Sequence, residues 1–409
     1  MKKSYKILVL TSTFPKYSGD MVPSFVQDQI ITLKENYPYL NFIVVAPDDN
    51  KKINPQLSQQ YKEYRFRYFV KRLQSLNELG ILPSIKKNFF LGLILPFYLI
   101  SQFFFTIKVV YKEKPDLIYA HMVTPQAILS FLIKKLYKIP YVFSTHAHDA
   151  TILAKIPILG KIVLNGIIKN SKSFTSDTPE IENNLKRLIK KKNWKQTKSN
   201  IVPMGVNVKK YDNTYPDSFL NVDSNKIIIS FLGRFVEKKG VEILINTFAE
   251  ILNTNQNIHL LICGKGSLKD KYLEIISDLD IDQQIQVVDV FNDIGKLKYI
   301  YNLSDIIVVP SIKTSGGDTE GLPVVLLESL YFGKTVIASI ESNAGSVIDD
   351  GVNGFLFSHN IENNFRLTIE KVLKNNVYTN NEFSSKAKAT GLKYSWSELS
   401  KIYYKILVE

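Results

Sequence analysis

Short apolar runs rich in β-branched residues alternate with longer segments of helical periodicity, and the alternation occurs twice. In the first half "KILVLTS" is followed by "SFVQDQIITLKEN" and "NFIVVAP", and "DLIYAHM" by "PQAILSFLIKKLYK" and "YVFSTH". The pattern pauses through the polar, strand-poor "NVKKYDNTYPDSFLNVDSN". It restarts with "KIIISFLGR", "VEILINTFAEIL" and "IHLLICGKG", and runs on through "DIIVVPS", "LPVVLLESLYFG" and "TVIAS". Such alternation predicts parallel sheets covered by helices. Two series with a pause near residues 206–226 predict two doubly wound α/β domains, within the two or three that 409 residues allow at about 150 per domain. Ligands of such sheets bind beyond the carboxyl ends of the strands, so a cleft between the domains is the expected active site.

Composition narrows the partners. A single cysteine, Cys263, excludes an internal disulfide framework and a Cys-rich metal site, and it reads as a buried strand-end residue. The apolar run of "MKKSYKILVLTSTFP" covers only Ile7 to Leu10, too short for a signal-peptide core, so a cytoplasmic address is expected. The formal charge of +14 points to a polyanionic partner: anionic lipid or a phosphate-bearing ligand. Nucleic acid is excluded for want of a binding module. The densest basic cluster is "KRLIKKKNWKQTK", Lys186 to Lys198, which is either a solvated helix end or a membrane-facing surface. Phe89 to Ile107 holds nineteen residues without a charge, long enough to span a bilayer. Pro96 in its middle, Ser101 and Gln102, and the strand-like "DLIYAH" that follows favour a buried or interface-lying helix.

The stretch "GGDTEGLPVVLLES" carries two glutamates, Glu320 and Glu328, around an apolar run. Pro323 suits a first helical turn and predicts a helix from about Leu322. Glu320 then precedes the helix and Glu328 lies more than one turn inside it. A helix start offers free N–H groups and a partial positive charge, a phosphate site. Glu320 can accept hydroxyls there and Glu328 a second polyol further along, which is the layout of a nucleotide sugar. In "IIISFLGRFVEKKGVEILI", Arg234 and Lys239 stand at a strand's carboxyl end, where a guanidinium fork and a point charge can hold phosphate. Gly264 and Gly266 of "CGKGSL" would let the backbone approach a ligand, and Gly19 of "TFPKYSGD" permits a loop over the cleft. In "STHAHDA", His146 and His148 alternate and face opposite ways in an extended segment, which disfavours joint metal ligation. Taken singly, Glu320 also suits an ordinary helix N-terminal charge, Arg234 and Lys239 solvated loop cations, and each histidine a structural role.

Together "GRFVEKKG", "GKGSL", "VVPS" and "EGLPVVLLES", in that order, resemble the nucleotide-sugar half of the retaining glycosyltransferases of family four, which have the GT-B architecture. "TFPKYSGD", "PDLIYAH", "STHAHD" and "VPMGVNVKKYD" resemble their first half, so the likeness covers nearly the whole chain. It implies two Rossmann-like domains: an acceptor-binding domain over 1–205, a nucleotide-sugar domain over 206–391, and a helix over about 392–409 returning to the first. It also implies roles. Arg234 and Lys239 neutralise the diphosphate. Glu320, with the backbone of Gly321, Leu322 and Pro323, holds the donor sugar. Glu328 binds the ribose hydroxyls. His146 lies near the reaction centre, Asp149 supports its loop, and Gly19, Gly264 and Gly266 line the nucleotide-sugar site. Gly19 lacks the family's usual glycine neighbour, and Lys334 stands where proline is usual.

The expected reaction is retaining transfer of a sugar from a nucleotide diphosphate sugar to an acceptor hydroxyl, on a lipid-linked or surface glycan precursor, at the inner face of the cell membrane. No aspartate-rich metal motif is evident, so neither metal nor cofactor is expected. The alternatives are an epimerase or phosphorylase of the same fold, and a non-catalytic membrane-interaction protein.

Overall fold

Buried parallel strands read as continuous apolar runs, and most of the thirteen strands among the described residues do so, while the sheet-edge strands Tyr61–Phe66 and Lys198–Ile201 carry charged and polar residues. A computed structural model describes residues 4–409 apart from 16–23, 49–59, 71–73, 75, 77–80, 82–83, 86–87, 147–148, 196, 213–217, 224, 291–292 and 317. The chain forms two compact units, one of residues 1–202 with 399–409, the other of residues 203–398.

Among the described residues the first unit is built on a seven-stranded sheet: β1 (Tyr5–Leu10), β2 (Leu40–Pro47), β3 (Tyr61–Phe66), β4 (Leu117–His121), β5 (Tyr141–Thr145), β6 (Ser173–Ser176) and β7 (Lys198–Ile201). The order is β3-β2-β1-β4-β5-β6-β7 with every pair parallel. The direction of winding reverses between β1 and β4, so the loops after those strands diverge and leave a crevice at the carboxyl edge. Among the described residues the second unit has six strands: β8 (Ile227–Leu232), β9 (Ile258–Cys263), β10 (Ile285–Val288), β11 (Ile306–Val309), β12 (Thr335–Ser339) and β13 (Phe355–Phe357). They run parallel in the order β10-β9-β8-β11-β12-β13, reversing between β8 and β11. All six residues of β9 are buried, as a strand covered on both faces requires.

Four helices matter below. Helix α1 (Leu95–Glu113) crosses from β3 to β4. Pro96 does not interrupt it. It occupies the first turn, where its missing N–H leaves no bond unmade, and a 3-10 segment, Phe89–Ile94, precedes it. The helix buries Tyr98, Gln102, Thr106, Val109, Val110 and Glu113. Its opposite stripe is apolar and open: Phe97 is 54% exposed, Ile100 57%, Phe104 65% and Tyr111 77%. That stripe is not buried in the first unit. Helix α2 (Val241–Leu252) follows β8, and α3 (Val324–Tyr331) follows β11. Helix α4 (Trp396–Val408) begins in the second unit and ends in the first. Its end buries Leu399, Tyr403 and Leu407, and Tyr404 stacks on Tyr37 at 4.0 Å between ring centroids.

Candidate active site

In the second unit, the segment after β8 is tied down by its glycines. A side chain at Gly264 would meet the Gly233 carbonyl, and one at Gly266 the Phe235 carbonyl, so both strand-end loops pack backbone on backbone. The Phe235 N–H donates to the Lys265 carbonyl at 2.9 Å. The missing side chains at Gly264 and Gly266 thus allow two protein segments to approach closely. Gly240, at φ +69°, ends a short 3-10 turn, Glu237–Lys239, and its α-carbon lies against the Pro310 carbonyl, where no side chain fits. This turn presents Lys238 and Lys239 to the loop after β11.

Glu320 in that loop is the group they meet. Its carboxylate lies 3.2 Å from Lys239 Nζ and 3.5 Å from Lys238 Nζ, and its side chain is 12% exposed. Lys238 also reaches Asp318 at 3.4 Å, and Arg234 stands exposed nearby in charge terms. Burial pushes the Glu320 carboxyl up, but Lys239, Lys238 and Arg234 outweigh it and hold it below the ordinary glutamate value. Burial lowers Lys239, with Glu320 opposing. The Asn343 amide donates to the Glu320 carbonyl at 3.0 Å and to the Gly321 carbonyl at 3.3 Å, fixing the loop from β12. Three cations around one mostly buried carboxylate leave positive charge for an anion.

The helix after this loop starts at Val324, two residues later than the sequence suggests. Pro323 keeps an extended ψ of 129° and caps the helix from outside, its carbonyl accepting from Leu326 N–H at 3.1 Å. Leu322 is held out of the helical region by the proline that follows it. Glu328 lies on the inner side of α3 and is 6% exposed. Its Oε1 accepts from Lys210 Nζ at 2.6 Å and from the Tyr211 hydroxyl at 2.8 Å, and its Oε2 from the Tyr301 hydroxyl at 2.8 Å. Burial pushes this carboxyl up, yet Lys210 and the two hydroxyls bring it below the ordinary value. Oε2 keeps one acceptor position. Lys210, Tyr211 and Tyr301 were not singled out in the sequence: the first two lie in the polar stretch read as a pause.

In the first unit, His146 directly follows β5 and Asp177 directly follows β6. Thr145 and Ser176 are register partners, so the two side chains emerge together at the carboxyl edge. His146 Nδ1 lies 2.9 Å from both Asp177 oxygens. Asp149 is committed elsewhere: it accepts from the Thr145 hydroxyl at 2.5 Å, the Val123 N–H at 2.7 Å and the Ala150 N–H at 2.9 Å. It ties the loop after β4 to the loop after β5, and burial pushes its carboxyl up to about 6. The His121 ring lies parallel to His146 at 5.9 Å. Asp177 and His121 were also absent from the sequence reading. Gly19 and His148 lie outside the described residues. Among the described residues no group of three or more His, Cys, Asp or Glu side chains is placed to hold a metal.

Residues 217–390 match the family model of the glycosyl transferases group 1. The chain carries a glycosyltransferase domain. The match spans the turn with Lys238 and Lys239, Glu320 and Glu328. The uncharacterized glycosyltransferase MJ1178 of Methanocaldococcus jannaschii is 24% identical over 371 residues, 88% of this chain and 93% of that protein. The amylovoran biosynthesis glycosyltransferase AmsK of Erwinia amylovora is 27% identical over 159 residues, 39% of this chain and 38% of that protein. Among solved structures, sucrose-phosphate synthase from Thermosynechococcus elongatus superposes with a TM-score of 0.72 at 15% identity, covering 98% of both chains. HepE of Anabaena in complex with UDP-glucose gives 0.66 at 14% identity, covering 98% of this chain and 100% of that one. The fold of the transferase is GT-B: two Rossmann-like domains, each on a parallel sheet.

Proposed function

We propose that the chain moves a sugar from a nucleotide diphosphate sugar to an acceptor hydroxyl with retention at the anomeric carbon. The observation that carries this reading is the cation set around Glu320. Lys239, Lys238 and Arg234 converge at the carboxyl end of β8, beside a carboxylate that matches sugar hydroxyls. The leaving group is a nucleoside diphosphate, so the main task is to stabilise charge on the departing β-phosphate. Arg234 and Lys239 supply that charge. A bound diphosphate competes with Glu320 for Lys239, which frees Glu320 to accept the donor's hydroxyls. The remaining acceptor position on Glu328 Oε2 takes a ribose hydroxyl. Front-side attack, with the leaving phosphate helping to take the acceptor's proton, accounts for retention without a second carboxylate at the anomeric carbon. No metal enters this scheme.

The acceptor is a lipid-linked or surface glycan precursor, handled at the inner face of the cell membrane. Two features of the first unit support this: the open apolar stripe of α1 and the basic segment 186–198. The amylovoran relative supports a place in polysaccharide synthesis.

Arg234→Ala and Lys239→Ala test the reading. Each should cost about 2–3 kcal/mol in transition-state binding, roughly 30- to 160-fold in kcat/KM for the donor. UDP-glucose is the first donor to try, followed by other nucleotide sugars in a thermal-shift screen. Turnover should persist in excess chelator. Full activity of either variant at limiting donor would sink the diphosphate assignment.

A further inference from the structure

His146 and Asp177 come from strands that the chain visits 31 residues apart, and only the parallel register brings them together. Asp177 places both oxygens at 2.9 Å from one ring nitrogen, Nδ1. A carboxylate only accepts, so Nδ1 carries the proton in this pair. The neutral ring is then left with a bare lone pair on Nε2. That atom is shielded from solvent and has no hydrogen-bond partner among the described residues. A shielded acceptor without a partner is costly unless something arrives to use it. Two rings flank the imidazole: Phe25 lies edge-on at 5.7 Å and His121 lies parallel at 5.9 Å between centroids.

We propose that Asp177 is a positioning residue. It fixes the His146 ring with its proton on Nδ1, so that Nε2 accepts the hydrogen bond of a hydroxyl on the acceptor. The inference rests on the transferase reading for the identity of that hydroxyl, but not for the His–Asp geometry.

The groups around the ring determine its response to pH. Burial pulls His146 down, while Asp177 and the more distant Asp149 pull it up, and the net direction is upward from the ordinary histidine value. His121 is driven well below its ordinary value by burial and by His146, so it stays neutral. Tyr119 and Tyr403 face Asp177 and are raised, Tyr119 to about 12, so neither ionises in the working range. On the acid side His146 is an imidazolium, Nε2 donates instead of accepting, and activity should fall. Asp177→Asn removes the upward pull, so that acid limb should move to lower pH.

Nitrogen NMR of labelled histidines in the full chain reads this without a substrate. The expected native result is a neutral His146 held as the Nδ1–H form, titrating above an ordinary histidine. In Asp177→Asn the midpoint should fall and both tautomers should appear, while Asp177→Glu should keep the Nδ1–H form. Turnover of UDP-glucose by Asp177→Asn should drop by roughly 10- to 100-fold, the worth of one charge-linked hydrogen bond, with donor KM held. An Nε2–H form in the native chain, or an unmoved midpoint in Asp177→Asn, would overturn the proposal. If Asp177→Asn fails to fold, the native tautomer and the Asp177→Glu variant still decide it. Absence of UDP release from every variant and every donor would instead count against the transferase reading, and the NMR result would stand apart from it.

Discussion

Glu320 and Glu328 stand close together in sequence but occupy different chemical settings. Glu320 faces lysines at 3.2 and 3.5 Å, distances that an incoming anion can break. Glu328 is closed in by three donors at 2.6–2.8 Å. Glu328→Gln should therefore do two things. It should lower stability by about 1–3 kcal/mol, because Lys210 and one hydroxyl lose a charged acceptor. It should also weaken binding of UDP alone. Glu320→Gln should not weaken UDP binding, since it removes a competitor for Lys239, but should impair turnover of the full donor. Calorimetry with UDP beside kinetics with the donor separates the two. Equal loss of UDP affinity in both variants would end the division of labour. The paired glutamates were legible because a carboxylate inside an apolar helical run needs a reason. Their partners were not, since nothing local marks Lys210 as the cation that reaches Glu328, or Asp177 as the residue beside His146. Those contacts exist only once strands and helices distant in sequence are placed.

Among elements, the strands and helices were read from periodicity because buried parallel strands and amphipathic helices leave strong patterns. Proline marked boundaries but not their side. Pro96, in the middle of the apolar run, opens α1 rather than interrupting it, while Pro323, which suits a first helical turn, stands just outside α3. Only ψ distinguishes these cases, and the ring fixes φ alone. Helix α1 also inverts the usual arrangement: Gln102 and Thr106 face inward while Phe97, Ile100 and Phe104 face out. Among the described residues it is the one helix long and apolar enough to cross a membrane. Its buried stripe packs on the first unit, and under the proposed membrane role its open stripe would lie in the bilayer interface. Phe97→Ser combined with Phe104→Ser should abolish flotation with anionic vesicles. Folding stability should stay within about 0.5 kcal/mol, because both side chains are already exposed. Undiminished flotation of the double variant would remove α1 from membrane binding, and flotation indifferent to salt would remove the lysines of 186–198.

At the scale of the whole molecule, the chain leaves the first unit at Val202 and re-enters it at Leu399. The returning part of α4 buries Leu399, Tyr403 and Leu407 and joins Asn36 through a Ser400 hydroxyl at 2.8 Å. Each of those apolar side chains contributes about 1.5–3 kcal/mol on burial. Their sum is a large share of the 5–15 kcal/mol or so that holds a typical domain together. Ending the chain at Glu398 should therefore unfold the first unit or lower its calorimetric transition sharply. An unchanged transition would mean that the last helix is dispensable. The same chain path has a consequence for synthesis. The first 202 residues emerge from the ribosome long before the strip that seals them, and the face around Tyr37 waits through all of the second unit. At about 5–20 residues per second that wait is on the order of 10–40 s, an interval in which a nascent, unsealed domain is open to chaperones and to its neighbours on the polysome.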